Sequence, residues 1–207
     1  MRSDNTTTHA PLGVKGEITR QLILNAAIDR FGRDGYRSTS VAVIARDADV
    51  GGSVAYAYFA NKEALFLAAL DEDAASVIEE GVSTLLQTTG DDSWRANLVF
   101  TLIEAVDRHP LAKRLLAGLE PDVTDRVLEL PALTDLRKAV AGRLRADQEL
   151  GLVRADIDPV VVGSGAVTIV ISLLMSVIQL GPEVVELYGA DALALIAAAI
   201  DPLEPSD

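Results

Sequence analysis

Cysteine is absent from this chain of 207 residues, and histidine occurs only at His9 and His109. Without cysteine there is no disulfide framework, no thiolate metal site and no cysteine nucleophile. Two histidines also exclude a histidine-rich metal centre. The composition therefore predicts a protein without a bound metal or other cofactor.

Short catalytic patterns are missing as well. The sequence has no Gly-x-Ser-x-Gly elbow, no phosphate-binding glycine loop and no histidine pair of the zinc-protease type. Carboxylates are abundant, with 31 Asp+Glu, so neighbouring pairs of them do not single out a catalytic site. The run Asp71-Glu72-Asp73, for example, is interpreted as a solvated helix face. A small all-α enzyme is therefore the weakest of the functional alternatives.

Positive charge is scarce overall, since 18 Lys+Arg stand against 31 Asp+Glu, a formal net charge of −13. The imbalance is uneven along the chain. Residues 1–70 carry 8 basic and 7 acidic side chains, a net of +1, whereas residues 71–207 carry 10 and 24, a net of −14. The negative net charge of the whole chain argues against nucleic acid as a partner, because phosphate contacts need Lys and Arg. The split instead indicates two working parts with different partners.

Residues 1–16 are polar, and Pro11, Gly13 and Gly16 interrupt any periodicity, which predicts a flexible arm. The arm contains no apolar run of the length of a secretory signal, so we expect a cytoplasmic location. From residue 17 onward apolar residues recur at helical spacing, as at Ile23 and Ala27, and this first helix should stop at Asp34-Gly35. No alternating strand pattern occurs, so the fold class is predicted to be all-α.

Two short predicted helices flank Ala48-Asp49-Val50, and their lengths are those of a helix-turn-helix. Many helical hairpins share these proportions, so spacing alone is a weak indication of DNA binding. The amino-acid pattern is far more specific. The residues that form it are Ile23-Leu24, Ala26-Ala27, Phe31, Gly35-Tyr36, Thr39, Ile44-Ala45, Ala48, Val50, Tyr56, Tyr58-Phe59 and Lys62-Glu63-Ala64-Leu65.

In order and spacing this pattern resembles the DNA-binding domain of the tetracycline-repressor (TetR) family of bacterial transcription regulators. The resemblance implies an N-terminal helix-turn-helix DNA-binding bundle and a larger C-terminal helical domain for ligand binding and dimerisation. The implied domains are the arm at 1–16, the DNA-binding domain at 17–65 and the effector-binding and dimerisation domain at 66–207.

The resemblance also implies which residues face DNA. They are Arg37, Thr39, Ser40, Gly52, Ser53, Val54, Tyr56, Tyr58 and Lys62. We expect Thr39 to cap the second helix and its hydroxyl to reach a phosphate as well. Tyr56, Tyr58 and Lys62 carry hydroxyl or ammonium donors suited to phosphates, the alternative being a solvated face.

Three positions depart from the family pattern. Asp49 stands at the usual turn glycine, and Asp enters the left-handed conformation, though less readily than Gly. Gly51 replaces the usual Ser or Thr cap, so the cap of the third helix is expected to shift toward Ser53. Gly52 lies where a long side chain often reaches the bases, which leaves direct readout to Ser53, Val54 and Ala55.

Residues 159–182 form a stretch of 24 residues without a charge, long enough to span a bilayer. Acidic flanks such as Asp158 and Glu183 and several internal hydroxyls argue against a membrane helix. A helix that is apolar all round is otherwise buried on every side. We expect a homodimer through residues 159–181 and 183–200, with Leu173 at its centre; a buried helix of a monomer is the alternative. The small residues thought to allow close approach are Gly163, Gly165, Ala166, Ser172 and Ser176.

The resemblance places an effector pocket in the C-terminal domain, without a motif that identifies its ligand. The candidate wall residues are Trp94, Leu98, Phe100, Leu102, His109, Met175 and Gln179, with ordinary core packing as the alternative for each. Together these observations predict a homodimeric regulator, a repressor released from a palindromic double-stranded operator by a small, largely apolar effector. A helix-turn-helix protein that acts only as a protein-interaction module is the main alternative.

Overall fold

The computed structural model describes residues 13–87, 93–122 and 130–202, and within these ranges the chain forms nine α-helices and no strand. The all-α prediction is thus confirmed. The helices are α1 (Val14–Ser38), α2 (Val41–Asp47), α3 (Gly52–Tyr58), α4 (Lys62–Gln87), α5 (Ser93–Arg108), α6 (Pro110–Leu116), α7 (Pro131–Glu149), α8 (Pro159–Leu180) and α9 (Ala190–Ile200), with a π-helical turn at Val185–Gly189 before α9. Residues 1–12 of the predicted arm lie outside the described residues, and α1 begins three residues before the predicted start.

Helix α1 is interrupted at Gly35, where φ is 81°. This left-handed backbone favours glycine because a Cβ would meet the following carbonyl. A Cβ at Gly35 would also lie 2.4 Å from Nη2 of Arg114 on α6. The predicted stop at Asp34-Gly35 therefore coincides with the kink, and the kink brings the end of α1 against α6.

The N-terminal bundle closes around aromatic side chains. Phe31 of α1 and Phe66 of α4 meet edge to face with ring centroids 5.1 Å apart, and Tyr36 packs against Phe66 at 4.9 Å. Ile23 and Ile44 are fully buried beside them. Helix α4 runs without a break across residues 65 and 66, so the two predicted domains share one helix, and their boundary stays a prediction.

Helix α6 lies between the N-terminal bundle and the rest of the chain, packed on both α1 and α4. A Cβ at Gly32 of α1 would lie 2.7 Å from Cβ of Pro110, so this close approach of α1 and α6 requires glycine. The remaining helices form the larger C-terminal bundle, in which α4 packs on α5 and α7, and α7 packs on α8. A single hydrophobic core runs through both bundles.

In the described part of the chain, α8 is the one helix long and apolar enough to cross a membrane. Six of its 22 residues are buried within the protomer, among them Leu173 and Gly163. Gly163 packs on the backbone of Ala141, since a Cβ there would lie 3.3 Å from the Ala141 amide nitrogen. The prediction of Leu173 at the centre of a subunit contact is therefore wrong. Gly165 and Ser172, by contrast, are exposed.

Candidate DNA-binding surface and apolar cavities

The helix that precedes the turn, α2, is capped by Ser40. The Ser40 hydroxyl accepts the backbone N–H of Val43 at 3.4 Å. Thr39 is buried instead, and its hydroxyl donates to the carbonyl oxygen of Gly35 at 2.8 Å. The predicted cap is thus wrong by one residue, because the side chain of Thr39 closes the kink of α1. In this conformation Ser40 is exposed, whereas the Thr39 hydroxyl is buried.

The turn between α2 and α3 depends on a left-handed residue. Asp49 has φ 55°, and the N–H of Val50 donates to the carbonyl oxygen of Ala45 at 2.9 Å. The prediction that Asp49 adopts the conformation of the usual glycine is confirmed. A non-glycine residue there costs about 1 kcal/mol relative to glycine, and the surrounding hydrogen bonds hold it.

Helix α3 presents almost all of its length outward. Gly52, Ser53, Val54 and Tyr56 are exposed, Val54 at 37% and Tyr56 at 55%. Ala55 is fully buried, so its candidate role in base readout is wrong. The N-cap is Gly51, without a side-chain hydrogen bond, so the predicted shift of the cap to Ser53 is wrong. Without a capping side chain the first N–H groups of α3 remain open to an anion.

Lys62 begins α4 close to the end of α3. Its Nζ lies 4.3 Å from the centroid of the Tyr36 ring, a cation–π contact that orients the ammonium group. Asn61 caps the helix, since its Oδ1 accepts the N–H of Ala64 at 2.8 Å. Tyr58 is half-buried between these groups and the core. Sequence reasoning did not identify the role of Tyr36, because the contact joins residues 26 positions apart.

Most cations of the N-terminal bundle are already paired. Nε of Arg30 donates to Asp47 at 2.8 Å and Nη1 to Asp34 at 3.0 Å. These bonds raise the pKa of Arg30 above its ordinary value and hold the pKa of Asp34 below its own. Arg37, 82% exposed, pairs with Asp122 at 3.1 Å. Within the described ranges Lys15, Arg46 and Lys62 have no carboxylate within ion-pairing distance, and Arg46 and Lys62 lie on the two helices that flank α3.

The C-terminal bundle contains an apolar cavity of about 40 Å³, cavity 1. Helices α4 to α8 surround it, and every lining residue is apolar; they are Ala74, Val77, Ile78, Leu102, Val106, Ala112, Leu115, Leu116, Leu130, Ala132, Leu133, Ile171 and Leu174. Ligand pockets usually enclose roughly 300–1,000 Å³. Cavity 1 must therefore widen before it admits a drug-sized molecule.

A second cavity of about 20 Å³, cavity 2, lies between α5, α7, α8 and α9. It is lined by Trp94, Arg95, Leu98, Val99, Leu136, Val140, Ala166, Val167, Val170, Leu193 and Ile196. Ten of these side chains are apolar, and Arg95 is the single charged one. A cavity of this size has room for about one water molecule.

The predicted wall residues do not share one pocket. Leu102 lines cavity 1, and Trp94 and Leu98 line cavity 2. Phe100 is 52% exposed on the opposite side of α5 and lines neither cavity. The other candidates lie elsewhere: Met175 packs half-buried on the core, and Gln179 donates its Nε2–H to the carbonyl oxygen of Leu116 at 2.8 Å.

His109 bridges two carboxylates and lines a polar groove with Ser76, Thr84 and Thr101, separate from cavities 1 and 2. Its Nδ1 lies 2.8 Å from Asp73 and its Nε2 lies 3.2 Å from Glu80, so both contacts are hydrogen bonds only when both ring nitrogens carry protons. Partial desolvation raises the pKa of Glu80, but hydrogen bonds from Arg108 and His109 outweigh it and hold that pKa below its ordinary value. His109 is therefore part of the joint between α4, α5 and α6.

Asp73 is 3% exposed, so the interpretation of this position as a solvated face is wrong. Its Oδ2 accepts the backbone N–H groups of Leu111 at 2.9 Å and Ala112 at 2.8 Å. A residue of α4 thus caps the N-terminus of α6. At the other end of α6, Arg114 donates to the buried Glu120 at 2.7 Å, and Glu120 accepts the N–H of Tyr36 at 3.0 Å. These contacts tie α6 to both bundles.

Residues 23–69 match the family model described as "Bacterial regulatory proteins, tetR family". A curated relative from Bacillus subtilis, the uncharacterized HTH-type transcriptional regulator YhgD, is 32% identical over 81 residues, which are 39% of this chain. The match spans only 38% of the length of that relative.

Solved structures extend the likeness to the whole fold. A putative TetR-family regulator from Mesorhizobium loti superposes with a TM-score of 0.69 at 20% identity, covering 92% of this chain and 100% of the other. A complex of triclosan with SmeT from Stenotrophomonas maltophilia gives 0.62 at 22% identity, covering 92% and 99%. At these identities the likeness shows the fold. Together the comparisons show a fold shared with tetR-family regulators and a segment, residues 23–69, that matches the model of that family.

Proposed function

We propose that the protein is a homodimeric, ligand-responsive transcriptional regulator that represses genes from a palindromic operator in the cytoplasm, and not an enzyme. The observation that carries this proposal is the surface of α3. Five of its seven residues are exposed, in a bundle whose other helices are buried against one another. A helix that exposes small and hydroxyl side chains along its whole length suits the major groove.

Phosphate contacts would come from groups around α3. Lys62 and Arg46 bring ammonium and guanidinium groups that pair with no carboxylate in the described ranges, and Tyr56 brings a hydroxyl. Phosphate contacts position the protein, and base-edge contacts specify the sequence. Gly52 lacks a side chain, so Ser53 and Val54 carry direct readout, and their size suits a thymine methyl better than a guanine edge.

Replacing Lys62 by alanine should weaken DNA binding by about 1 kcal/mol and make the slope of log affinity against log salt shallower by about one unit. The loss should be equal for specific and non-specific duplexes, because a phosphate contact carries no sequence information. Fluorescence anisotropy with the DNA upstream of the gene, measured at several salt concentrations, checks both expectations.

Lys138→Ala is the matched control, because Lys138 lies on α7, is exposed and pairs only locally with Asp135. It removes the same charge and should leave the DNA affinity unchanged. If Lys62→Ala combined with Tyr56→Phe bound DNA like the wild type, the docking proposed for α3 would be wrong. Selection from a pool of random duplexes tests the alternative of a protein-interaction module, which would enrich no sequence.

The subunit contact is proposed on the exposed faces of α8 and α9. Along α8 the outward residues are Val161, Gly165, Thr168 and Ser172. The hydroxyls of Thr168, Ser172 and Ser176 donate to the carbonyl oxygen four residues earlier at 3.0, 2.9 and 2.9 Å. These donors are already satisfied, so the face can be covered by another helix without losing hydrogen bonds to water.

On α9 and the preceding turn, Leu187, Tyr188 and Leu195 are 60–65% exposed. Together with α8 they form a surface low in charge, of the kind that marks interfaces. A second copy covers both faces at once through a twofold axis, because an isologous contact uses the same patch on each subunit.

Effector binding is proposed at cavity 1, because this cavity touches the joint between the bundles. Ala112, Leu115 and Leu116 of α6 line it, and the same helix abuts Gly32 of α1. A molecule that widens cavity 1 by displacing α6 would shift the DNA-binding bundle. The lining is apolar throughout, which favours an apolar effector recognised by shape.

An effector should lower DNA affinity by about 5- to 150-fold, and operator DNA should lower effector affinity by the same factor, since coupling between sites is reciprocal. Calorimetric titration of small apolar compounds, with and without operator DNA, measures both changes in affinity. Triclosan, the compound in the SmeT complex, is the first compound to test. Ala112→Val fills cavity 1 and should abolish the response, whereas Ala166→Val fills cavity 2 and should keep it. A compound bound equally well with and without operator is no effector.

A further inference from the structure

His109 joins α6 to α4 through both nitrogens of its ring. Nδ1 lies 2.8 Å from Oδ1 of Asp73, and Nε2 lies 3.2 Å from Oε1 of Glu80. Asp73 and Glu80 lie about two turns apart on α4, and His109 is the residue that directly precedes α6. These two contacts, the His109 bridge, fix the start of α6 on α4.

The His109 bridge is complete in only one protonation state of the ring. Neutral imidazole has one N–H and one lone pair, so one of the two carboxylates would then face a lone pair. Partial desolvation raises the pKa of Glu80, but hydrogen bonds from Arg108 and His109 outweigh it and hold that pKa below its ordinary value. Glu80 therefore has no proton to donate near neutral pH, and the observed geometry is that of the imidazolium ring.

Other charged groups surround the ring without bonding to it. Those on the adjoining turns of the neighbouring helices are Glu79 on α4, Asp107 and Arg108 on α5, Lys113 on α6, and Asp29 and Arg33 beside Gly32 on α1. Arg108 pairs with Glu80, and Lys113 pairs with Asp107 at 2.7 Å. In the part of the chain that the structure describes, the ring hydrogen-bonds only to Asp73 and Glu80, so these two carboxylates dominate its electrostatic environment.

Asp73 connects the His109 bridge to the position of α6. Its side chain is 3% exposed, and its Oδ2 accepts the N–H groups of Leu111 and Ala112 in the first turn of α6. A buried carboxylate is costly unless donors or a positive charge meet it, and the imidazolium provides that charge. When the ring loses a proton, the attraction to Asp73 and the contact with Glu80 both weaken. The first turn of α6 is then held less firmly.

We propose that the His109 bridge is a pH-sensitive contact that holds α6 in place when the ring is charged and loosens it when the ring is neutral. Histidine is the side chain whose charge changes between about pH 5 and pH 8. The bridge favours the charged ring in the folded chain. Its contribution to stability is therefore present at acidic pH and is lost as the pH rises.

The consequence for DNA rests on the proposed function. Pro110, the first residue of α6, lies against Gly32 of α1. A loosened α6 therefore shifts the DNA-binding bundle in the same direction as a molecule that widens cavity 1. Rising pH should lower the affinity for operator DNA and raise the affinity for an effector in cavity 1, since the effector then displaces a helix that is held less firmly.

The chain has only two histidines, so their variants isolate the bridge. Urea unfolding is measured from about pH 6 to about pH 8, and the unfolding equilibrium constant of the wild type should rise about tenfold, as expected for the loss of one hydrogen bond to a charged group. His109→Gln should lose this rise, because its amide does not titrate. His9→Gln is the matched control and should keep it. A merely structural histidine would instead give a loss of stability that is the same at every pH.

Glu80→Gln tests the bridge from the side of α4, and it remains available if His109→Gln does not fold. The amide of glutamine either accepts the Nε2–H or donates to the Nε2 lone pair, so the contact no longer requires the ring proton. This variant should lose most of the rise between about pH 6 and about pH 8. Glu79→Gln is its matched control, since Glu79 is the neighbouring exposed carboxylate of the same groove, and it should behave like the wild type.

The same pH dependence of unfolding in the wild type and in His109→Gln would overturn the proposal, and so would wild-type behaviour of Glu80→Gln. Operator affinity, measured by anisotropy at both ends of the pH range, should fall about five- to tenfold in the wild type and not in His109→Gln. An operator affinity independent of pH would refute the link from the bridge to DNA. A protein that binds no duplex would contradict the proposed function, while the unfolding series would still decide whether the bridge responds to pH.

Discussion

Replacing Gly165 by glutamate is expected to convert the protein from a dimer to a monomer at micromolar concentration. Gly165 lies at the centre of the exposed face of α8, and nothing lies within 4 Å of a Cβ added there. The protomer therefore accommodates a larger side chain. In the middle of a helix, replacing glycine even improves helix propensity by somewhat less than 1 kcal/mol. Burying the new carboxylate between two subunits, however, costs several kcal/mol.

The loss of DNA affinity in the Gly165→Glu variant should be larger than the loss caused by replacing any single DNA-facing residue. A dimer binds two half-sites with an avidity that exceeds the affinity for one by roughly 10²–10⁴-fold. A monomeric Gly165→Glu variant should lose that advantage on a palindromic duplex while it keeps its affinity for a single half-site. Light scattering gives the mass, and anisotropy with full and half operators gives the two affinities.

Gly142→Glu is the matched control. Gly142 is also exposed in the interior of a helix with nothing within 4 Å of its added Cβ, but it lies on α7. The Gly142→Glu variant gains the same negative charge and the same improvement in helix propensity as Gly165→Glu, and it should remain dimeric. A wild-type protein that is monomeric, or a Gly165→Glu variant that is still dimeric, would contradict the proposed contact.

Replacing Asp73 by alanine is expected to lower the free energy of unfolding by about 3 kcal/mol, the second large effect. The change leaves the N–H groups of Leu111 and Ala112 without their acceptor and removes one of the two carboxylates that bind His109. For a chain of this length the loss corresponds to a fall of the melting temperature of roughly 6–12 °C. Thermal and urea unfolding measure it.

Two variants on α4 show whether the cap causes the loss. Asp73→Asn keeps an acceptor oxygen for the two N–H groups and should lose less stability than Asp73→Ala. Glu79→Ala removes an exposed acid from the same helix and should change the stability by no more than about 0.5 kcal/mol. If Asp73→Ala were as stable as Glu79→Ala, Asp73 would not hold the N-terminus of α6.

Much of the N-terminal bundle could be predicted from local pattern. The spacing of Ile23, Ala27 and Phe31 marked the buried face of α1, and all three are fully buried. Asp34-Gly35 marked its kink, and the tolerance of Asp for the left-handed conformation accounted for Asp49. These features depend on residues within one or two turns of each other, where backbone sterics and helical period decide the outcome.

What only the tertiary structure decided are the contacts between distant segments. By residue type, Thr39 and Ser40 are both good N-caps for α2. In the structure the Thr39 hydroxyl donates to the carbonyl oxygen of Gly35 at the kink of α1, so it does not cap α2. Periodicity likewise indicated that α8 is apolar, but the packing of α7 decided that Leu173 faces inward and Gly165 outward.

The same division applies to the charged groups of the C-terminal bundle. Composition alone determined that this part is acidic and apolar, without a cysteine or histidine centre. It did not determine that Asp73 caps a helix 38 residues away, or that Arg95 meets Asp201 at the edge of cavity 2. The free energy of a buried charge depends on the partner that the fold brings to it, and that partner is set by packing across the whole chain rather than by neighbouring residues.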